Sequence, residues 1–254
     1  MSQVALLARR SVVRTLRQPA MVVPSLIFPL MLLSINSSGL DTATRLPGFP
    51  SDSYFQFALA IPFVQGALFS ANSAGTNIAS DIESGFLNRL SLTPLRRLSL
   101  MLGQLTGILA LGLIQAITFV VVGLAFGDGI AAGPAGVVVL LLLSLTISLA
   151  FGAIGAFVAL RSGNGEAVQG VFPLFFAALF LSSMALPRNL IESDWFRTVA
   201  TWNPVSYMLE GIRSLVIEGW DSEALALGFA CAGGVAVIAM AAASSALRTR
   251  MVRT

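Results

Sequence analysis

Six apolar runs, each long enough to cross a lipid bilayer, constrain this chain more than any other feature of its sequence. They cover residues 20–37, 54–79, 98–126, 135–160, 167–186 and 223–247. A helix of about 20 apolar residues spans the hydrocarbon layer, and backbone groups inside a bilayer must bond to one another. We therefore predict an all-α integral membrane protein with six transmembrane helices, which form a single transmembrane domain over residues 1–254.

Composition agrees with a membrane protein and excludes several kinds of chemistry. The chain is 56% hydrophobic and only 11% charged, whereas soluble domains have roughly 25% charged residues. It contains neither lysine nor histidine, and Cys231 is its one cysteine. A P-loop requires lysine, so this chain cannot be its own P-loop ATPase. A Ser-His-Asp centre is also excluded, and we predict no catalytic residue, no metal site and no cofactor in this chain.

The distribution of the 15 arginines predicts the topology. With six spans both termini lie on one side, and that side carries eleven arginines: four near the N-terminus, three in the loop before residue 98, one at 161 and three in the tail. The other side carries Arg45, Arg188, Arg197 and Arg213. Arginine-rich loops stay in the cytoplasm, so we expect a multi-pass protein of the plasma membrane with both termini cytoplasmic.

Two further segments are too polar to span but suit the membrane surface. Residues 1–19 place four arginines among apolar residues, which predicts an amphipathic interfacial helix. Residues 187–222 contain Trp195, Trp202, Tyr207 and Trp220. Because such aromatic residues favour the headgroup layer, we predict re-entrant or interfacial helices between spans 5 and 6.

The loop Ser80–Arg97 joins spans 2 and 3 and has the pattern of a short helix. Ser80 and Glu83 fit a capping box, and an apolar residue recurs every fourth position at Ile82, Phe86 and Leu90. We predict a short amphipathic helix that starts at Ser80. The alternative is a basic loop that does no more than fix the topology.

The second span carries uncharged polar residues in its lower half. We select Gln65, Phe69, Asn72 and Asn77 as a candidate substrate path. The alternative for each amide is a hydrogen bond between helices, which is the commoner use of such residues. Gly103 and Gly107 form a small-xxx-small pair, which predicts close helix packing.

Three segments of the chain resemble the membrane (permease) subunit of type-2 ABC exporters, a family of drug, polysaccharide and lipid permeases. They are LRQPAMVVPSLIFPL from Leu16, ASDIESGFLNRLSLTPLRRLSLMLGQL from Ala79 and WNPVSYMLEGIRSLVIEG from Trp202. By this resemblance the second segment contains a cytoplasmic coupling helix that docks on an ATPase subunit. Its candidate coupling residues are Asp81, Glu83, Gly85, Phe86, Leu87, Arg89, Leu90 and Pro94. The third segment would place Asn203, Pro204, Tyr207 and Arg213 in an extracellular re-entrant motif.

The resemblance, closest to short drug-exporter permeases, also implies partners and an activity. It implies a dimer with a second copy or a sibling permease, within membrane lipids, and two ABC ATP-binding subunits that hold ATP and Mg²⁺. It implies export by alternating access, with no role for nucleic acid. A Leu-, Phe- and Met-rich interior favours an amphipathic drug-like or lipid-like substrate. A polysaccharide or glycolipid permease, a stand-alone secondary carrier or channel, and a membrane-anchored assembly factor remain alternatives.

Overall fold

The computed structural model describes residues 3–86 and 97–252, and these residues form helices and turns without any strand. The all-α prediction is confirmed for this part of the chain. The α-helices are α1 (Gln3–Leu16), α2 (Pro19–Gly39), α3 (Tyr54–Ala58), α4 (Ala60–Glu83), α5 (Arg97–Phe126), α6 (Gly133–Ser162), α7 (Gly165–Phe180), α8 (Asp194–Trp202), α9 (Pro204–Arg213) and α10 (Ser222–Val252). Short 3₁₀ turns cover Asp41–Arg45 and Arg188–Leu190, and a π-helical turn covers Ser214–Glu218.

Five segments of the described chain are long and apolar enough to cross a membrane. They are Pro19–Gly39, Tyr54–Glu83, Leu105–Phe126, Gly133–Ser162 and Ser222–Arg250. These segments coincide with predicted spans 1, 2, 3, 4 and 6. The predicted fifth span, 167–186, coincides with α7, which is apolar but has only 16 residues. At 1.5 Å per residue α7 covers about 24 Å, and turns follow at residues 181–186.

The early end of α7 has a cause elsewhere in the chain. The side-chain amide of Asn203 donates hydrogen bonds to the carbonyls of Ala178 (2.6 Å) and Leu181 (3.1 Å). The last carbonyls of a helix have no partner within it, and here a residue from a later helix supplies one. The chain therefore leaves the helix inside its predicted span.

Helix α4 is the centre of the bundle. In the most apolar window of Tyr54–Glu83, which covers α3 and α4, 83% of the residues are buried, compared with 17% in the equivalent window of α2. Helices α2, α5, α6, α7 and α9 all pack against it. The contact with α6 is close because a Cβ at Gly155 would overlap the carbonyl of Ala71. Just before α4 the helix is interrupted at Leu59, where Pro62 cannot donate a backbone hydrogen bond to residue 58.

Different loops lie at the two ends of the bundle. At one end α1 packs along the start of α5, where a Cβ on Gly103 would lie 2.6 Å from Leu7 Cβ. This confirms the helix-packing role predicted for the glycine pair. At the opposite end the Tyr54 hydroxyl donates to the Ala185 carbonyl at 2.9 Å, and the Ala132 amide donates to the Leu215 carbonyl at 3.0 Å. The arginine-rich loops thus share one end, called the arginine-rich end below.

The predicted helix start at Ser80 is wrong. Helix α4 continues through Ser80 and ends at Glu83, so Ser80 lies in the last turn of a long helix. The apolar face continues through Ile78 and Ile82, and no helix-breaking residue occurs before Gly85, which has φ +67°. That left-handed conformation suits glycine, and it ends the helix.

Candidate functional site

Asp81 joins the end of the central helix to the N-terminal helix. Its carboxylate accepts hydrogen bonds from Arg10 Nη1 (3.2 Å) and Nη2 (2.9 Å), and from Arg14 Nη1 (2.6 Å). Arg10 and Arg14 are four positions apart on α1, which places both on one face of that helix. We call these three residues the Asp81 clamp. Two arginines therefore hold one carboxylate, with Arg10 binding it through both of its terminal nitrogens.

Burial shields the Asp81 clamp from solvent more than a surface ion pair is shielded. The Asp81 side chain is 4% exposed, while those of Arg14 and Arg10 are 24% and 40% exposed. Charge-assisted, bidentate arginine–carboxylate pairs are the strong hydrogen bonds of proteins, and a half-buried pair is less screened by salt. The Arg10 guanidinium also lies 3.9 Å from the centre of the Phe86 ring. Helices α1 and α4 are thus fixed to each other at the arginine-rich end.

Glu83 connects the same region to α7. Its Oε1 accepts a hydrogen bond from the backbone amide of Gly165 at 3.1 Å. Gly165 is the first residue of α7, and the amides there have no partner within the helix. A carboxylate also interacts favourably with the positive end of the helix dipole. Asn164 adds the usual cap, since its Oδ1 accepts from Ala167 N at 2.8 Å.

The predicted coupling residues fall into two groups. Asp81, Glu83, Gly85 and Phe86 are described, and Asp81 and Glu83 are bound to α1 and α7 within the same chain. Leu87, Arg89, Leu90 and Pro94 lie outside the described residues. The role of all eight in coupling to an ATPase subunit stays a prediction. What the structure adds is that the loop enters the bundle at a point where α1, α4 and α7 are tied together.

Phe69, of the predicted substrate path, belongs to a cluster of phenylalanines from three helices. Its ring centre lies 6.0 Å from that of Phe28 on α2, 5.4 Å from Phe172 and 6.4 Å from Phe176 on α7. Phe28 also contacts Phe176 edge-on at 6.0 Å. We call these four residues the phenylalanine cluster. Such edge-to-face pairs are the preferred geometry of aromatic rings.

The amides of the predicted path have different surroundings. Asn77 accepts a hydrogen bond from Gln18 Nε2 at 3.2 Å, which agrees with the helix-linking alternative. Asn72 lies three residues after Phe69, on the same side of α4, and its buried Oδ1 has no partner among the described residues. Gln65 is 1% exposed, and its Oε1 likewise has no partner there. Asn72 is therefore the amide best placed to present a polar atom beside the phenylalanine cluster.

At the opposite end, Asn203 and Pro204 start helix α9. Asn203 is the N-cap and accepts a hydrogen bond from Val205 N at 3.0 Å. Pro204 is the first helical residue, a position where its missing amide proton is not needed. The Asn-Pro pair therefore begins α9 while its amide caps the end of α7.

Arg213, at the end of α9, points into the protein. It is 6% exposed and donates to three backbone carbonyls: Phe57 (Nε, 3.1 Å), Ser183 (Nη1, 2.6 Å) and Met184 (Nη2, 2.7 Å). Its guanidinium also covers the Phe57 ring at 3.6 Å. Burial lowers the pKa of Arg213 to about 9 against the attraction of Glu210 and Tyr54, which still leaves it protonated at neutral pH. Arg213 thus fastens α9 to α3 and to the turn after α7.

Glu210, Arg188 and Tyr207 form a second network beside Arg213. Glu210 accepts from Arg188 Nη2 at 2.6 Å and from the Ser183 hydroxyl at 3.2 Å, and Arg188 lies 4.5 Å from the Tyr207 ring centre. Burial lowers the pKa of Arg188, but Glu210 and Tyr207 outweigh it, so that pKa is raised. Tyr207 and Arg213 of the predicted motif therefore take part in neighbouring networks.

Several residues of these sites were not selected from the sequence. Arg10 and Arg14 carried a signal in their four-residue spacing, but nothing in the sequence linked them to Asp81. The other omitted residues are Phe28, Phe172, Phe176, Arg188 and Glu210. The phenylalanines lie in runs of similar residues, where spacing does not show which rings meet.

Comparison with known proteins agrees with these features. The chain is 28% identical to the "Putative transport permease ycf38" of Porphyra purpurea, over 83% of this chain and 72% of the relative. It is 28% identical to the protein of the same name from Pyropia yezoensis, over 84% of this chain and 73% of the relative. It is 25% identical to the protein of that name from Cyanophora paradoxa, over 82% of this chain and 72% of the relative. The model of the ABC-2 type transporter family matches residues 2–217. With helices that are long and apolar enough to span a membrane and this match over most of its length, the chain belongs to the ABC-2 type transporter family and is a transport permease of it.

Proposed function

We propose that this chain is the permease subunit of an ATP-driven exporter in the plasma membrane. A separate ABC ATP-binding subunit, holding ATP and Mg²⁺, would dock at the arginine-rich end, which faces the cytoplasm together with both termini. Family membership supports a partner ATPase, and so does the absence of lysine, because a P-loop cannot form within this sequence. The positive-inside rule supports the orientation.

The Asp81 clamp is the observation that carries this proposal. Residues 84–96 follow α4 directly and precede α5, so a force on this loop acts on both helices. Arg10 and Arg14 add α1 to the same unit through Asp81, and Glu83 adds the start of α7. Packed helices move as bodies rather than deforming continuously. A push from a docked ATPase would therefore reach four helices at once and drive alternating access.

The phenylalanine cluster supports an amphipathic drug-like or lipid-like substrate. Ligand sites of this kind are mostly apolar and aromatic, with a few polar groups that set orientation. Phe69 with its neighbours and the Asn72 oxygen has that composition. A polysaccharide or glycolipid would need many more hydrogen-bonding groups, so we place it second.

A dimer with a second copy or a sibling permease completes the proposal. Helix α7 exposes Leu174 (65%), which is two positions from Phe172 and Phe176 and therefore on the face away from α4. A second permease packed on this face would cover it. Cysteine at 174 in a Cys231→Ala background should form a cross-linked dimer in membranes. Monomers alone, with transport intact, would contradict the dimer.

Dye export tests the substrate part of the proposal. Inside-out vesicles that contain the chain and its ATPase should take up an amphipathic fluorescent dye when ATP is added. Phe69→Ala should lower this uptake several-fold, because the ring contacts three others in the phenylalanine cluster. Phe126→Ala is the matched control, since Phe126 ends α5 and is 77% exposed. Equal uptake by both variants would remove the phenylalanine cluster from the path.

A further inference from the structure

A groove of about 630 Å³ lies between the C-terminal ends of α6 and α10, at the arginine-rich end. Its polar lining includes Arg161, Ser245, Thr249 and Arg250, and its apolar lining includes Phe157 and Ala246. None of these residues belongs to the Asp81 clamp or to the phenylalanine cluster. The transport proposal therefore gives this groove no task.

The charge of the groove favours an anion. The lining contains two arginines and no acidic residue. Arg161 is exposed, and the ion pairs found among the described residues do not include it. Arg250 donates to the Leu160 carbonyl at 2.7 Å, which offsets the partial negative charge at the end of α6. Arg161 is thus the main cation available to a ligand.

Gly163 lets Arg250 reach this position. It ends α6 with φ +83°, and a Cβ there would overlap the Arg250 guanidinium. A side chain at 163 would displace Arg250 from the Leu160 carbonyl. The turn after α6 therefore holds the basic rim of the groove in place.

The position of the groove relative to the membrane favours a lipid over a soluble anion. Arg161 and Arg250 lie in the last turns of two spans, where helices emerge into the headgroup layer. Phe157 and Ala246 lie four residues deeper, which is about 6 Å along a helix. In α10 only 22% of the most apolar window is buried, so this helix faces lipid over much of its surface. The basic rim and apolar floor match a phosphate and the start of its acyl chains.

We infer that this groove binds an anionic phospholipid, with Arg161 as the main contact of its phosphate. Ser245 supplies a hydroxyl donor beside it, while the Thr249 hydroxyl donates to the Ser245 carbonyl, and Phe157 lies against an acyl chain. Each arginine near an anionic surface contributes enough to change binding about fivefold. The site is separate from transport chemistry, and it stands whether or not the proposed substrate is right.

Native mass spectrometry tests this inference on the full chain. The protein is reconstituted in nanodiscs of phosphatidylglycerol and phosphatidylcholine and then released in mild detergent. We expect wild type to retain phosphatidylglycerol in preference, and Arg161→Gln to lower that retention about fivefold. Arg248→Gln is the matched control, because Arg248 is exposed on the same helix end but does not line the groove. Thr249→Trp, which fills the groove without changing charge, should also lower retention.

Other outcomes would overturn the inference. Equal losses for Arg161→Gln and Arg248→Gln would mean general surface charge, and no loss in either would mean lipid held elsewhere. Displacement of phosphatidylglycerol by inorganic phosphate alone would make the groove a soluble-anion site. If Arg161→Gln instead releases a co-purified ATPase subunit and leaves lipid retention unchanged, the groove is a protein contact. Size-exclusion profiles matching wild type show that each variant is folded.

Discussion

Arg14 and Asp81, which are 67 positions apart in the chain, form an ion pair of 2.6 Å that joins α1 to α4. Together with Arg10, which donates to both carboxylate oxygens, the pair fixes the N-terminal helix to the C-terminal end of the central helix. The N-terminal helix is therefore a structural part of the region that the transport proposal makes move.

Replacing Arg14 with Gln should destabilise this junction. Hydrogen bonds to a charged group contribute about 1.5–3 kcal/mol, and the Asp81 carboxylate is almost fully buried. We expect the free energy of unfolding in detergent to fall by about 2 kcal/mol. Arg9→Gln is the control, since Arg9 is exposed on the same helix. Equal melting temperatures for the two variants would show that the Arg14–Asp81 pair does not contribute to the free energy of unfolding.

Glu83→Ala and Phe86→Ala should separate coupling from assembly. Glu83 bonds to the start of α7 within this chain, so its loss should leave the ATPase bound but lower substrate-stimulated ATP hydrolysis. Phe86, which lies under Arg10, would anchor the partner, and losing an apolar anchor commonly costs about 2 kcal/mol. Co-purification and ATP hydrolysis, measured side by side, check both. Wild-type values for both variants would favour the alternative, in which the loop does no more than fix the topology.

Arg213→Met should be among the most damaging single changes at the opposite end. It leaves the carbonyls of Phe57, Ser183 and Met184 without their donor. An unsatisfied buried polar group costs about 1–3 kcal/mol, so we expect a loss of at least 3 kcal/mol in thermal unfolding. Arg197→Met is the control, because among the described residues the Arg197 side chain bonds to Asp194 and to the Ile191 carbonyl and it does not bridge separate helices of the bundle. A similarly small loss of stability for both variants would mean that the Arg213 hydrogen bonds do not stabilise the contact of α9 with α3.

Gly155→Ala should loosen the contact between α4 and α6. The new methyl would overlap the Ala71 carbonyl, and overpacking costs about 1–3 kcal/mol. Gly170→Ala is the control, since a Cβ there meets nothing within 4 Å and alanine favours a helix over glycine. Melting temperatures should fall for the first variant and stay level or rise for the second. The reverse order would mean that this crossing is not tightly packed.

The long helices could be predicted because their length and apolar content are local properties. The helix start predicted at Ser80 was wrong for a local reason, because no helix-breaking residue occurs before Gly85, whereas the fifth span ended early at a contact with a distant residue. Ser80 and Glu83 looked like a helix start, yet Glu83 caps a different helix, α7. The fifth span looked long enough to run to residue 186, but Asn203 binds the carbonyl of Leu181, 22 positions away. The Asp81 clamp and the phenylalanine cluster depend on helix packing, which no spacing rule reveals.

ATP-driven dye uptake by inside-out vesicles tests the central claim most directly. The account predicts that the purified chain alone hydrolyses no ATP, since it has no lysine for a P-loop. Uptake should require this chain, its ATPase subunit and an intact P-loop lysine in that subunit. Dye movement by this chain alone, driven by an ion gradient and unchanged when the ATPase is inactivated, would contradict the account and support a secondary carrier.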